Sequence, residues 1–191
     1  LCLIFTFDII FIMPIENERK YLLDMSSIDE ISTNSITKKQ IKQGYLSKSA
    51  RIRSTNQDNV ISYFFTFKKL VDKKLVEIET LISKKDFEKL WTVAKFKIEK
   101  TRYLYEKWEI DFFYKKKKLY LAMAEIEMAE DEDEPKTIPK LIKKYIIYNV
   151  PRNNVNFCNI NLTKKKSKKL YKEFKRWTKL SMNFSKKDQL H

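Results

Sequence analysis

The sequence predicts an α+β fold: a closed antiparallel eight-stranded β-barrel with helices packed outside it. First, a triplet of charge, apolar or β-branched residue, charge recurs at Arg51-Ile52-Arg53, Glu77-Ile78-Glu79, Lys100-Thr101-Arg102 and Glu125-Ile126-Glu127. Successive side chains of a strand point to opposite faces, so each triplet as a strand aims two charges one way and its middle residue the other. Second, Phe87, Leu90 and Trp91 fall on one face of a helix that Ser83 can cap. A sheet closed on itself turns every charged face inward and leaves the apolar outer faces for helices to cover.

Residues 1–12 are apolar but interrupted by Asp8, too short to span a bilayer and without the basic start and small-residue cleavage site of a signal peptide. Residues 1–13 are therefore expected to be an extension upstream of a translation start at Met13, the alternative being an apolar arm on the barrel exterior. Glu16, Glu18 and Lys20 define the first strand and share one face. The polar segment 24–39 suits turns or a short capped helix. Strands follow at 41–46, 50–54, 62–68 and 75–81, with turn chemistry at 54–59 and a link at 69–74 that favour hairpins.

After the helix from Ser83, strands are expected at 96–105, 107–114 and 119–128. The acidic run 130–134 reads as a solvated loop, and Pro135 and Pro139 bracket the turn into a helix over 140–145. Residues 14–162 form the barrel domain. From 163 to 191 the chain becomes a basic tail, in which Leu170, Phe174 and Trp177 make an apolar stripe expected to dock on the barrel.

The composition sets further bounds. With 191 residues, 43% of them hydrophobic, the chain is long enough for one domain with a sizeable core. A net charge of +15 suits a polyanionic partner. The only histidine is His191, which excludes a histidine triad or a histidine-held zinc. Cys2 and Cys158 form no zinc cluster or disulfide framework and fit a reducing cytoplasm. Gly44 is the only glycine, so there is no Walker A loop and no dinucleotide fingerprint. Any phosphate must be held by side chains.

The ordered motifs Glu16-x-Glu18-x-Lys20, Gln43-Gly44-Tyr45-Leu46, Arg51-Ile52-Arg53, Thr66-Phe67-Lys68, Glu77-Ile78-Glu79, Lys100-Thr101-Arg102-Tyr103, Trp108-Glu109-Ile110-Asp111 and Ala124-Glu125-Ile126-Glu127 resemble the CYTH, or triphosphate tunnel metalloenzyme, family. The resemblance runs from about 15 to 162. It implies a tunnel barrel and divalent-metal-dependent hydrolysis of a triphosphate. The segments around Gln43-Gly44-Tyr45 and Glu99 to Tyr103 are most similar to the bacterial inorganic triphosphatase-like branch, which implies cleavage of tripolyphosphate to pyrophosphate and phosphate. In that branch the positions of Lys100 and Tyr45 act together, so these two are the implied catalytic pair; from the residues alone, Tyr45 reads equally as a plain barrel aromatic. The chain departs from the family at Leu75, where an arginine is usual, and at Asn156-Phe157-Cys158-Asn159, where another cation is lost.

In such a tunnel Glu16, Glu18, Glu125 and Glu127 supply the hard oxygens that Mg²⁺ or Mn²⁺ prefers, while Lys20, Arg51, Arg53, Lys68, Lys100 and Arg102 suit a phosphate chain. In a competing arrangement acids and bases pair as internal salt bridges, a role that fits Glu77 and Glu79. The alternatives in function are a thiamine or nucleoside triphosphatase and, in a different class, a non-catalytic polyanion-binding protein. Expected partners are a small triphosphate, no stable nucleic acid, weak polyanion contacts through the tail, no membrane span, and at most a second copy of the chain: a monomer or homodimer.

Overall fold

The computed structural model describes residues 12–13, 17–71, 74–152, 154–162, 169, 171–173 and 176. Glu16, Leu170, Phe174 and Trp177, and the expectations attached to them, lie outside these residues, as does the run 1–11. Ten strands form one antiparallel sheet: β1 (Ile12–Met13), β2 (Glu18–Leu23), β3 (Thr37–Tyr45), β4 (Ala50–Gln57), β5 (Val60–Val71), β6 (Lys74–Leu81), β7 (Phe96–Tyr105), β8 (Trp108–Lys115), β9 (Lys118–Glu127) and β10 (Ile146–Val150). Their order across the sheet is β1-β6-β5-β4-β3-β7-β8-β9-β2-β10.

That order forces curvature. β1 and β2 stand eight strand spacings apart, about 38 Å in a flat sheet at ~4.8 Å per spacing. The five residue steps from Met13 to Glu18 reach at most about 18 Å. The sheet must therefore curl to bring its two ends together.

The predicted closure is corrected in one respect. β2 pairs with β9 on one side and with β10 on the other, while β6 pairs with β5 and with β1. The two edges that a closed eight-stranded ladder would join are thus each taken by another segment, and among the described residues the ladder stays open. β10 itself was not expected: the helix predicted over 140–145 stops as α3 (Lys140–Lys143), and Ile146-Ile147-Tyr148 continues as an edge strand.

Hairpins join β4 to β5 and β8 to β9 through two-residue turns. Asp58 and Asn59 take φ of 51° and 65°, and Lys116 and Lys117 take 50° and 62°. Left-handed conformations at both central positions match the twist of the flanking strands. The Asp-Asn pair adopts them readily, whereas the Lys-Lys pair has no such preference. β4 and β5 consequently run longer than predicted, up to and away from the turn at 58–59.

The convex face of β2, β7, β8 and β9 carries Tyr21, Leu23, Tyr103, Ile110, Phe112, Ala122 and Ala124, all buried. Ile31 of α1 (Ile28–Asn34) and Ile142 of α3 complete this layer. α2 (Lys84–Val93) covers β4 and β5, with Phe87 buried between Tyr63 and Trp91. As expected, Ser83 caps it, its hydroxyl accepting from the Asp86 amide at 3.1 Å. The acidic run is not simply solvated. Glu134 takes an ion pair from Arg19, Asn17 Nδ2 donates to the carbonyls of Ala129 and Glu132, and Arg152 donates to those of Glu132 and Asp133. Among the described residues no helix is long and apolar enough to cross a membrane.

On the concave side, a second apolar cluster fills one end. Leu22, Tyr45, Ile98, Phe113, Leu121 and Met123 meet Phe157, Leu162 and Tyr171 there, and the Tyr171 hydroxyl donates to the Leu23 carbonyl at 2.8 Å. Part of the basic tail is thereby tied to the core through a residue outside its predicted apolar stripe.

Gly44 sits where β3 passes beneath the end of α2. A Cβ there would lie 2.9 Å from Ala94 Cβ and 3.1 Å from Trp91 Cε3. Gly44→Ala is expected to cost about 1–3 kcal/mol through overpacking, more than the roughly 0.5–1 kcal/mol that replacing a strand glycine returns. Urea denaturation checks this; a midpoint equal to wild type would contradict the packing described.

Candidate functional site

The concave face surrounds a cavity of about 410 Å³ to which each of β2 through β9 contributes side chains. Strand alternation explains the convergence. In β2, Glu18 and Lys20 face in while Arg19 and Tyr21 face out; in β4, Arg51 and Arg53 flank the buried outward Ile52; in β7, Lys100 and Arg102 flank Thr101. Six cationic and six glutamate side chains share this lining. A cavity so nearly balanced is held together by pairing rather than by hydration.

Asp111 of β8 is the centre of one wall and has no solvent exposure. Arg102 grips it with two bonds of 2.7 Å, Nε to Oδ1 and Nη2 to Oδ2, and Lys100 Nζ donates to Oδ2 at 2.5 Å. The pairing register explains the geometry: Arg102 lies directly opposite Asp111, and Lys100 is two residues along the same face. Burial alone would push the Asp111 carboxyl up, but the two cations win and hold it below the ordinary carboxylate range. Lys100 moves down, because burial outweighs the attraction of an aspartate already satisfied by arginine. Arg102 moves up: burial opposes, yet Asp111, Glu125 and Glu109 together prevail.

The pairing continues across both walls. Arg102 also meets Glu109, and Glu125 at 3.5 Å. Lys20 Nζ lies 3.1 Å from Glu125 and 2.6 Å from Glu18. Burial pulls the Lys20 ammonium down, but these two carboxylates raise it overall. Opposite, Glu77 holds Arg51 at 3.5 Å and Lys68 at 2.9 Å, and Glu79 holds Arg53 at 2.7 Å while accepting from the Thr66 hydroxyl. Arg53 shifts down, burial outweighing Glu79, and its guanidinium lies over the Phe64 ring. The internal ion pairs weighed as a competing arrangement for Glu77 and Glu79 are thus formed.

All six predicted phosphate ligands, Lys20, Arg51, Arg53, Lys68, Lys100 and Arg102, line the cavity, as do Glu18, Glu125 and Glu127 of the predicted metal set. Glu18 and Glu127 face each other across β2 and β9. Yet among the described residues no three carboxylates are gathered closely enough to hold a metal; the Lys20 ammonium spans Glu18 and Glu125 instead. The all-carboxylate donor set suits a hard divalent cation, and a cationic group already bridges two of its members.

No hydrogen bond joins Lys100 to Tyr45, the implied catalytic pair. Lys100 turns to Asp111, while the Tyr45 hydroxyl receives its bond from Gln43 Nε2. Tyr45 lies in the apolar end cluster, where burial pushes its phenol up to about 12. Asp111, Glu109 and Gln43 were missed as site residues. The signal for the first two was present, since Glu109-Ile110-Asp111 is the same charge, apolar, charge triplet read elsewhere.

No family model and no curated protein matches the chain. Solved structures similar to it include PH1819 protein from Pyrococcus horikoshii OT3, at 24% identity over 62% of this chain and 80% of that one, with a TM-score of 0.43. A Bacillus halodurans protein described as "a putative adenylate cyclase" is 16% identical over 75% of this chain and 96% of its own, with a TM-score of 0.46. PH1012 protein from Pyrococcus horikoshii OT3 is 16% identical over 62% and 80%, with a TM-score of 0.42.

Asp111→Asn should cost about 3–5 kcal/mol near neutral pH, since it leaves two buried cations without their shared counter-charge. Because the folded-state pKa of Asp111 is depressed, its contribution is complete above the unfolded value of about 3.9 and is lost as pH falls through the folded value. Denaturation midpoints followed from neutral to acidic pH should show the variant with a flatter acid limb than wild type. Equal stability of the two proteins at neutral pH would refute the buried-pair assignment.

Proposed function

We propose that this chain hydrolyses a triphosphate, first of all inorganic tripolyphosphate, to pyrophosphate and phosphate, with Mg²⁺ or Mn²⁺ as cofactor. The observation that carries the reading is the concave cavity whose walls present Arg51, Arg53, Lys68, Lys100 and Arg102 from strands β4, β5 and β7. The ordered motifs resembling the triphosphate tunnel metalloenzymes, and within them the bacterial inorganic triphosphatase-like branch, support it. So do the carboxylates on β2 and β9. The protein is taken to act in the cytoplasm as a monomer or homodimer.

Phosphoryl transfer asks for charge neutralisation and alignment more than for covalent help. Arg51, Arg53 and Lys68 exchange Glu77 and Glu79 for phosphate oxygens. Arg102, fixed by Asp111, holds the chain in line. Water attacks the terminal phosphorus, the bond to the bridging oxygen breaks, and the charge that develops on the departing pyrophosphate is met by the same cations. Glu18, Glu125 and Glu127, with Glu16 as the further expected ligand, would hold a divalent cation, which would supply Lewis-acid neutralisation of the phosphates. Lys20, between Glu18 and Glu125, would bind phosphate oxygens. The lowered pKa of Lys100 suits a proton acceptor, and Tyr45 serves as a neutral donor at the cavity end rather than as its partner.

An organic triphosphate is the second reading, favoured by one observation. A further cavity of about 470 Å³ adjoins the first at Arg53, Arg102 and Glu109 and has apolar walls at Ile41, Val60 and Phe64. A thiamine or nucleoside group fits such a mouth.

Purified protein given tripolyphosphate, thiamine triphosphate or ATP, with Mg²⁺, Mn²⁺ or chelator, tests both. Tripolyphosphate should be cleaved only with metal, and Glu18→Gln or Glu127→Gln should each lower kcat on the order of a hundredfold without loss of fold. Undiminished turnover in chelator would remove the metal from the proposal, and no cleavage of any triphosphate would remove the activity.

A further inference from the structure

Two basic features meet at the end of the barrel away from the mouth, and neither lines the cavity. The first is the β8–β9 turn. Lys115, Lys116, Lys117 and Lys118 follow one another there, all four exposed, with Lys115 paired to Lys118 across the hairpin. Along β8, Glu109 lines the mouth and Lys115 stands six residues further on, roughly 20 Å at ~3.3 Å per residue. Lys116 and Lys117 hold φ of 50° and 62°, the left-handed region in which a Cβ crowds the following carbonyl and which Asn-Gly fills best. Backbone preference therefore does not account for lysine here. Nor does pairing, since among the described residues none of the four makes an ion pair.

The second feature belongs to the basic tail. Lys169, Tyr171, Lys172, Glu173 and Arg176 take helical positions. Helical spacing sets Lys169, Lys172 and Arg176, at i, i+3 and i+7, in one exposed stripe, and sets Tyr171 nearly opposite, where it is buried. Glu173 takes up Lys169 at 3.8 Å, which leaves Lys172 and Arg176 without an acid among the described residues. Shared packing ties this stripe to the turn. Phe113 and Leu121, two and three residues either side of the lysine run, belong to the apolar cluster that holds Tyr171, and the Tyr120 hydroxyl donates to the Leu162 carbonyl at 3.5 Å.

We propose that the β8–β9 turn and the exposed stripe of the tail form one surface that binds the phosphate backbone of a nucleic acid without reading its sequence. A hairpin tip and a helix pinned by Tyr171 present their charges in a fixed array, which suits a polymer whose own charges are regularly spaced, and Arg176 can grip one phosphate with two bonds. A lipid surface fits less well: among the described residues of β8, β9 and the tail no large hydrophobic side chain is exposed to enter a bilayer. The sequence led to an expectation of weak polyanion contacts through the tail alone, and the hairpin is what the fold adds to it. The surface shares no residue with the cavity, so it stands independently of the triphosphatase reading.

Anisotropy titration of fluorescent duplexes of about 20 base pairs, one DNA and one RNA, with the full chain across a salt series reads the surface directly. Wild type should bind, with log K falling linearly in log salt. A turn variant, Lys116→Asn with Lys117→Gly, should bind at least about tenfold more weakly at ~50 mM salt and shrink the slope by roughly two. Its urea midpoint should stay at or above that of wild type, because Asn-Gly suits the turn better than Lys-Lys. A tail variant, Lys172→Gln with Arg176→Gln, should weaken binding alike. Lys84→Gln with Lys85→Gln, which removes equal charge from the start of α2, should match wild type within about twofold. No binding by wild type, unchanged binding by the turn variant, or equal weakening by the α2 variant would overturn the surface, the last because it would reveal a diffuse positive field. Phosphatidylglycerol vesicles bound as tightly as the duplexes, and released by the same turn variant, would overturn the choice of nucleic acid as partner. The duplex bound more tightly identifies the source of the backbone.

Discussion

A carboxylate without solvent contact, held between a lysine and an arginine, is the interaction on which the interior depends. Asp111 neutralises the two inward cations of β7, and Arg102 passes the contact on to Glu109 and Glu125, from which it continues to Lys20 and Glu18. Four adjacent strands are thus joined by charge on their concave side and by aromatic and aliphatic packing on their convex side. Unpaired charges in such a space would be expensive to desolvate. The facing wall solves the same problem separately, with Glu77 and Glu79 serving Arg51, Lys68 and Arg53.

The two walls differ in what an anion must displace. On the β7–β8 wall, the carboxylate of the bidentate Arg102–Asp111 pair is fully enclosed, so the Arg102 guanidinium is a fixed charge at the cavity surface. On the β4–β6 wall, glutamates and cations are partly open to the cavity and can exchange partners. On the proposed reading, affinity for a phosphate chain would reflect the difference between phosphate and glutamate as partners for Arg51, Arg53 and Lys68, rather than the full attraction of those cations.

Much of this was legible in the sequence because it follows from a period of two. Once Arg51-Ile52-Arg53 or Glu125-Ile126-Glu127 is read as a strand, the inward direction of its charges is settled by geometry, and the lining residues follow. Which charge pairs with which was not legible, because that depends on strand register: Arg102 meets Asp111 only because β7 and β8 align them across a tight turn at Glu106. The same limit explains Tyr45. Its inward direction followed from the alternation, but Gln43, two residues away on the same strand, takes its hydroxyl before Lys100 does. Ladder closure failed for a different reason: the β-branched and aromatic run Ile146-Ile147-Tyr148 carried a strand signal that the helix reading over 140–145 passed over, and that strand claims the free side of β2.

The most direct test of the central claim, that the paired interior is built to receive a phosphate chain, is a crystal structure with imidotriphosphate, a triphosphate analogue whose bridging nitrogens resist hydrolysis. The expected result is phosphate oxygens on Arg51, Arg53 and Lys68 in place of Glu77 and Glu79, with the Arg102–Asp111 pair unchanged. An analogue bound only on the outer surface or along the basic tail, with every internal ion pair intact, would contradict it.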